Sequence, residues 1–166
     1  MLQKILQNIL LFVALVLIQV LVLNNIQFLG FVNPYIYILF LLSQPVKQPR
    51  MLTLTLAFML GITIDIFSST LGIHAFATVF VAFIRSGVIK LFFSIDEGFN
   101  PSPSFFSLGV GVYIRYVSVI VVIHHILLFT LEAFSFANFG FVLLKALLSA
   151  IITILLILGT QSFNKK

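Results

Sequence analysis

Cysteine is absent from this 166-residue chain. That excludes a disulfide framework, a thiol nucleophile and a thiolate metal site. Charge is nearly as scarce, at 8% of the residues, where a soluble domain carries about 25%. Catalytic patterns are missing as well. There is no Gly-x-Ser-x-Gly, no Walker sequence and no His-Glu-x-x-His. No two acids sit together inside an apolar run. Asp96-Glu97 lies in a polar stretch and reads as a solvated turn. His124 and His125 project about 100° apart on a helix and do not line one face; no further ligands at suitable spacing complete a metal site. The reading is therefore of a non-enzymatic chain with no cofactor and no metal.

What the chain does have is apolar mass. Hydrophobic residues make up 61% of it, and the mean hydropathy is +1.25. Too little polar surface remains to cover a water-soluble globule, so the chain reads as one integral membrane domain. The formal charge is +5, from nine Lys and Arg against four Asp and Glu. The basic residues are scattered and form no dense patch, which excludes nucleic acid as the partner.

A spanning helix needs roughly 20 apolar residues. Six runs qualify or nearly so, at about 5–23, 34–46, 51–67, 71–93, 108–131 and 139–159. The expected fold is an all-α membrane protein, a bundle of six transmembrane helices. The second run is short for a hydrocarbon core about 30 Å thick. The first run follows Lys4 and exceeds the roughly 7–15 residues of a secretion-signal core, so it reads as a retained helix. An outer-membrane barrel requires apolar and polar residues in alternation. Val117–Ile123 and Ile151–Leu158 do not alternate. With six spans, Lys4, Lys47, Arg50, Lys90, Lys165 and Lys166 all fall on one face. Loops 24–33, 68–73 and 132–138 on the other face hold no Lys or Arg. The positive-inside rule then puts both termini in the cytoplasm.

Polar residues within spans are costly, about 2.5–3.5 kcal/mol for an ionisable group at mid-membrane. Span 3 carries Ala57, Gly61, Asp65 and Ser69 at a spacing of four, and span 4 carries His74, Thr78, Ala82 and Ser86 likewise. Such small stripes let membrane helices approach closely. A tight turn joins the two spans, so Asp65 and His74 are expected at similar depth, in an interhelical hydrogen bond or, on the sharper reading, a proton or ion site. Glu132 and Lys145 flank the last turn at equal distance and suit an ion pair. Arg85 lies too deep in span 4 for that helix to end there, and it is expected to snorkel or to contact a lipid phosphate or a partner carboxylate. Arg115 suits the membrane interface.

The layout resembles the rod shape-determining protein family MreD, in its Bacteroidetes-type form. The residues that carry the resemblance are Pro34 opening a short second span and Gly61-Ile-Thr-Ile-Asp65-Ile-Phe-Ser-Ser-Thr-Leu-Gly72-Ile-His74. His124-His125, Phe129, Glu132-Ala-Phe-Ser-Phe, Lys145 and Ser149 add to it. The resemblance implies a subunit of the cell-elongation machinery in the bacterial cytoplasmic membrane. It also implies binding to the bitopic protein MreC and, through it, ties to MreB, RodA and a class B penicillin-binding transpeptidase. The implied fold is like that of the substrate-binding S component of energy-coupling vitamin transporters. An S component or another small transporter is accordingly the alternative function.

Overall fold

The computed structural model describes residues 2–26, 30–94, 100–135 and 138–163. Gln27, Phe28, Asp96, Glu97, Lys165 and Lys166 lie outside the described residues. Seven α-helices occur among the described residues: α1 (Leu2–Leu21), α2 (Leu39–Leu42), α3 (Arg50–Ser68), α4 (Ile73–Phe92), α5 (Phe105–Leu108), α6 (Val110–Ala133) and α7 (Phe139–Phe163). Five of these are long and apolar enough to cross a membrane: α1, α3, α4, α6 and α7. They form an up-and-down bundle in which α3 packs on α4, α4 on α6 and α6 on α7, with α1 against α3. We call the end where α1 begins and α7 ends basal, and the other end apical. The lipid-facing sides carry large exposed side chains such as Leu10, Phe58, Ile66, Phe83 and Leu155. In water they would be a fault; in hydrocarbon they are the expected outer surface.

The second expected span is not a membrane-length helix. It consists of a 3-10 turn, Ile36–Ile38, running into the single turn of α2. Those seven residues rise only about 12 Å. α1 ends apically and α3 starts basally, so the chain between them returns from one end to the other; among the described residues of this stretch the remainder is turns and irregular backbone. The sequence places this run among the lipid-facing spans, but its residues 34–42 are all buried inside the bundle. Burial is what permits its irregular backbone, because non-helical backbone at membrane depth is tolerated only where protein surrounds it and satisfies its polar groups. The N–H of Asn33 donates to Ser149 Oγ and that of Tyr35 to Thr153 Oγ1, both at 3.0 Å, from α7. Gln19 of α1 donates to the Pro34 carbonyl at 3.1 Å. Three polar side chains on otherwise apolar helices thus hold the buried segment in place.

α3 and α4 form a tight hairpin. Ser69 in the left-handed region ends α3, and the Thr70 N–H closes back on the Asp65 carbonyl at 3.0 Å. Gly72, at φ +82°, starts α4 in a conformation that glycine adopts freely. Six residues of the two small stripes are then buried: Ala57, Gly61 and Asp65 on α3, His74, Thr78 and Ala82 on α4. The Thr78 hydroxyl lies 2.9 Å from the Ala57 carbonyl across the pair. A Cβ on Gly61 would fall on Ala75 Cα and Thr78 Oγ1, and 2.6 Å from Ala75 N. The helix backbones are in contact there. The stripes do not continue to their ends: Ser69 and Ser86 are exposed.

Candidate functional site

Asp65 is almost wholly buried, and every contact it makes serves the start of the next helix. Its Oδ1 accepts from Thr70 Oγ1 at 2.5 Å and from the His74 N–H at 3.1 Å; its Oδ2 accepts from the Ala75 N–H at 2.8 Å. α4 has no cap of its own, because its N-cap residue is Gly72. Four N–H groups at a helix start lack intrahelical partners, and the dipole there is positive. A carboxylate from the preceding helix supplies both the acceptors and the negative charge. Asp65 and His74 are therefore joined as the sequence places them, but through the histidine backbone. The imidazole points elsewhere.

That imidazole enters a buried polar chain. Tyr37 Oη lies 2.8 Å from His74 Nδ1 and 2.9 Å from His124 Nε2. One imidazole donates to the phenol oxygen and the phenol donates to the other. His125 faces a different neighbour: its Nδ1 donates to the Val121 carbonyl at 2.9 Å, which leaves Nε2 to accept from Thr153 Oγ1 at 3.0 Å. Tyr35 packs in the middle, with its ring centroid 5.3 Å from His74, 5.5 Å from His125 and 5.8 Å from Phe129. The buried segment thus carries the two tyrosines that knit α4, α6 and α7 together. Among the described residues no cluster of His, Asp and Glu suits a metal ion.

Above this chain the apical end opens into a cavity of about 300 Å³. Asn24, Asn33, Tyr35, Thr70, His74 and Glu132 line it with Val20, Phe67 and Leu128. Ion pairing occurs at its edge, where Lys145 Nζ lies 3.5 Å from Glu132 Oε2 and 4.6 Å from the Phe129 ring centroid. Both side chains are partly exposed, so the pair is worth at most about 1 kcal/mol.

Arg85 corrects the expectation of a lipid or partner contact. It is 3% exposed. Its Nε donates to Tyr116 Oη at 2.9 Å, its Nη1 to the Pro45 carbonyl at 3.3 Å and its Nη2 to the Gln44 carbonyl. Tyr116 in turn donates to the Leu42 carbonyl at 3.3 Å. The Gln44 and Pro45 carbonyls lie in the turn that follows the short buried helix. Arg85 clamps that turn, and the planar fork of a guanidinium suits several carbonyls at once. We expect Arg85→Met to leave the Gln44 carbonyl without its donor, at about 1–3 kcal/mol, and to remove one bond each from the Pro45 carbonyl and the Tyr116 hydroxyl, which keep their partners Gln48 and Leu42. Arg85→Lys should recover only part of the loss. Thermal unfolding in detergent micelles reads both; a parental midpoint for Arg85→Met would remove the clamp. Arg115, by contrast, is exposed at the basal end of α6.

Several residues of this architecture escaped the sequence reading: Gln19, Tyr35, Tyr37, Gln44, Tyr116 and Thr153. The signal was available for Gln19 and Thr153, which are isolated hydrogen-bonding residues in long apolar runs. For the tyrosines there was none, because a tyrosine near a span end is ordinary at a membrane interface. Compared with protein-family models, with curated proteins and with solved structures, the chain has no match.

Proposed function

We propose that the chain is a non-enzymatic subunit of the bacterial cell-elongation machinery. In this reading it is a multi-pass protein of the cytoplasmic membrane with its basal face inside. It crosses six times, once by the buried segment, in a fold like that of the transporter S components. It acts by binding an MreC-like bitopic protein and is tied through it to MreB, RodA and a class B penicillin-binding transpeptidase.

The observation that carries the reading is where the chain spends its tightest packing. The stretch Gly61–His74, which bears the family resemblance, runs from the point where α3 meets the backbone of α4 at Ala75, through the turn, into the start of α4. On its lipid side this hairpin presents a groove of about 610 Å³ lined by Phe58, Ile62, Ala75, Phe76, Val79 and Phe83. In lipid, helices associate through close packing rather than through hydrophobic exclusion. A rigid, aromatic-walled groove beside small residues suits the single transmembrane helix of a bitopic partner.

Depletion in a rod-shaped host should give rounded, widening cells, and the protein should co-purify with an MreC-like protein. Val79→Trp, which fills the groove from its wall, should abolish co-purification while leaving the purified chain folded. The apical cavity favours a second reading, in which the chain is the substrate-binding S component of a vitamin transporter or another small transporter. Cells that hold their width on depletion but fail to take up a vitamin would establish that reading and defeat the first.

A further inference from the structure

We infer that the apical cavity is a binding site for a small organic cation, an ammonium group carried on a compact apolar body. This goes beyond the elongation role and does not depend on it.

The first argument is the balance of charge around the cavity. Its lining includes Glu132 and neither Lys nor Arg. Glu132 shares only Oε2 with Lys145, which is not among the lining residues. Asp65 lies directly beneath the floor, bonded to the lining residues Thr70 and His74, with its charge set against the start of α4.

The second argument is the direction of the helices. Val20 belongs to the last turn of α1, Phe67 and Ser68 to that of α3, and Glu132 to that of α6. The cavity is thus bounded by three helix C-termini, each equivalent to roughly half a negative charge. Among the membrane-length helices that line the cavity, α4 starts there, at Ile73 and His74, and its positive end is already met by Asp65. The three helix C-termini and Glu132 therefore bias the cavity toward a cation.

The third argument is polar valence left open in a buried place. Asn33 Oδ1 is a buried acceptor with no partner. His74, also a lining residue, has its Nδ1 engaged by Tyr37. An ammonium brings three donors and no acceptor, the complement of Glu132 and Asn33. The Tyr35 and Phe67 rings add aromatic surface that attracts a cation and packs an apolar body. A volume of about 300 Å³ lies at the small end of the range for ligand pockets.

The test uses the full chain in nanodiscs of zwitterionic lipid and three probes of nearly equal shape: phenethylammonium, phenethyl alcohol and 3-phenylpropionate. Calorimetry should give saturable binding of the ammonium at about one per chain, and no saturable binding of the alcohol or the carboxylate. Glu132→Gln should weaken the ammonium about threefold to fivefold. Val20→Phe, which fills the cavity without removing a polar group, should abolish its binding. If Val20→Phe does not fold, Glu132→Gln decides, since that side chain is half exposed and its loss is tolerable to the fold. Equal binding of the three probes, preference for the carboxylate, no saturable binding at all, or an ammonium affinity that ignores Glu132→Gln each overturns the inference. None of these results bears on cell width or on co-purification, so the elongation role is tested separately.

Discussion

Gly61→Ala should be among the most damaging single-methyl changes in this chain. The added carbon has no free direction, because Ala75 Cα, Ala75 N and Thr78 Oγ1 already occupy its place. Two of those atoms are backbone in the first turn of α4 and cannot rotate away. The hairpin must open, and opening it also lengthens the Thr78 bond to Ala57 and pulls the α4 start from Asp65. Overpacking a tight site costs about 1–3 kcal/mol; a backbone clash at a helix crossing belongs at or above the top of that range. Loss of folded protein in detergent, and loss of partner co-purification, are the readouts. Gly61→Leu must be at least as severe. A variant Gly61→Ala with the parental unfolding midpoint would show that the crossing is looser than described. Gly87 is the control, since a Cβ there meets nothing within 4 Å, and Gly87→Ala should be nearly silent.

Replacing Asp65 by Leu should come next in severity. It removes the acceptors of Thr70 Oγ1 and of the His74 and Ala75 N–H groups. Buried donors left unsatisfied cost about 1–3 kcal/mol each. Asp65→Asn separates capping from simple size. Both carboxylate oxygens are in use, so an amide keeps one acceptor and turns an N–H₂ toward a donor at the other. Asn should therefore lie between Asp and Leu in unfolding midpoint, with a clear deficit. A proton or ion role makes a different prediction: normal stability for Asn with complete loss of function. Comparing midpoint and cell-shape rescue in one variant pair distinguishes the two.

Much of this arrangement is legible in the residues, and the illegible part has a physical cause. The long apolar runs announce α1, α3, α4, α6 and α7, because a membrane leaves few alternatives to a helix of that length. Gly61 and Asp65 are conspicuous because small and charged residues are expensive or purposeful in such runs. Run 34–46 misleads by the same logic. Hydropathy measures apolarity, and a segment buried in protein is as apolar as one facing lipid. Arg85 misleads for a related reason. The sequence gives its depth on α4 but not the turn that a distant segment brings to meet it. The apical cavity is not legible in the residues, because its floor of Tyr35, Thr70 and His74 depends on where the α3–α4 turn stops relative to α6.

The buried segment also sets an order of assembly. Its amides at Asn33 and Tyr35 are satisfied by Ser149 and Thr153, residues more than a hundred positions later in the chain. During synthesis, residues 31–46 leave the insertion machinery long before α7 exists. Until then the segment holds backbone donors that neither lipid nor α1 can answer, so it has no stable resting place in the hydrocarbon. It must wait in the aqueous margin, under insertase protection, or in a loose early bundle. A helix made much later, α7, thus seals this early segment inside, and a nascent chain that lacks α7 holds the segment with both amides unanswered.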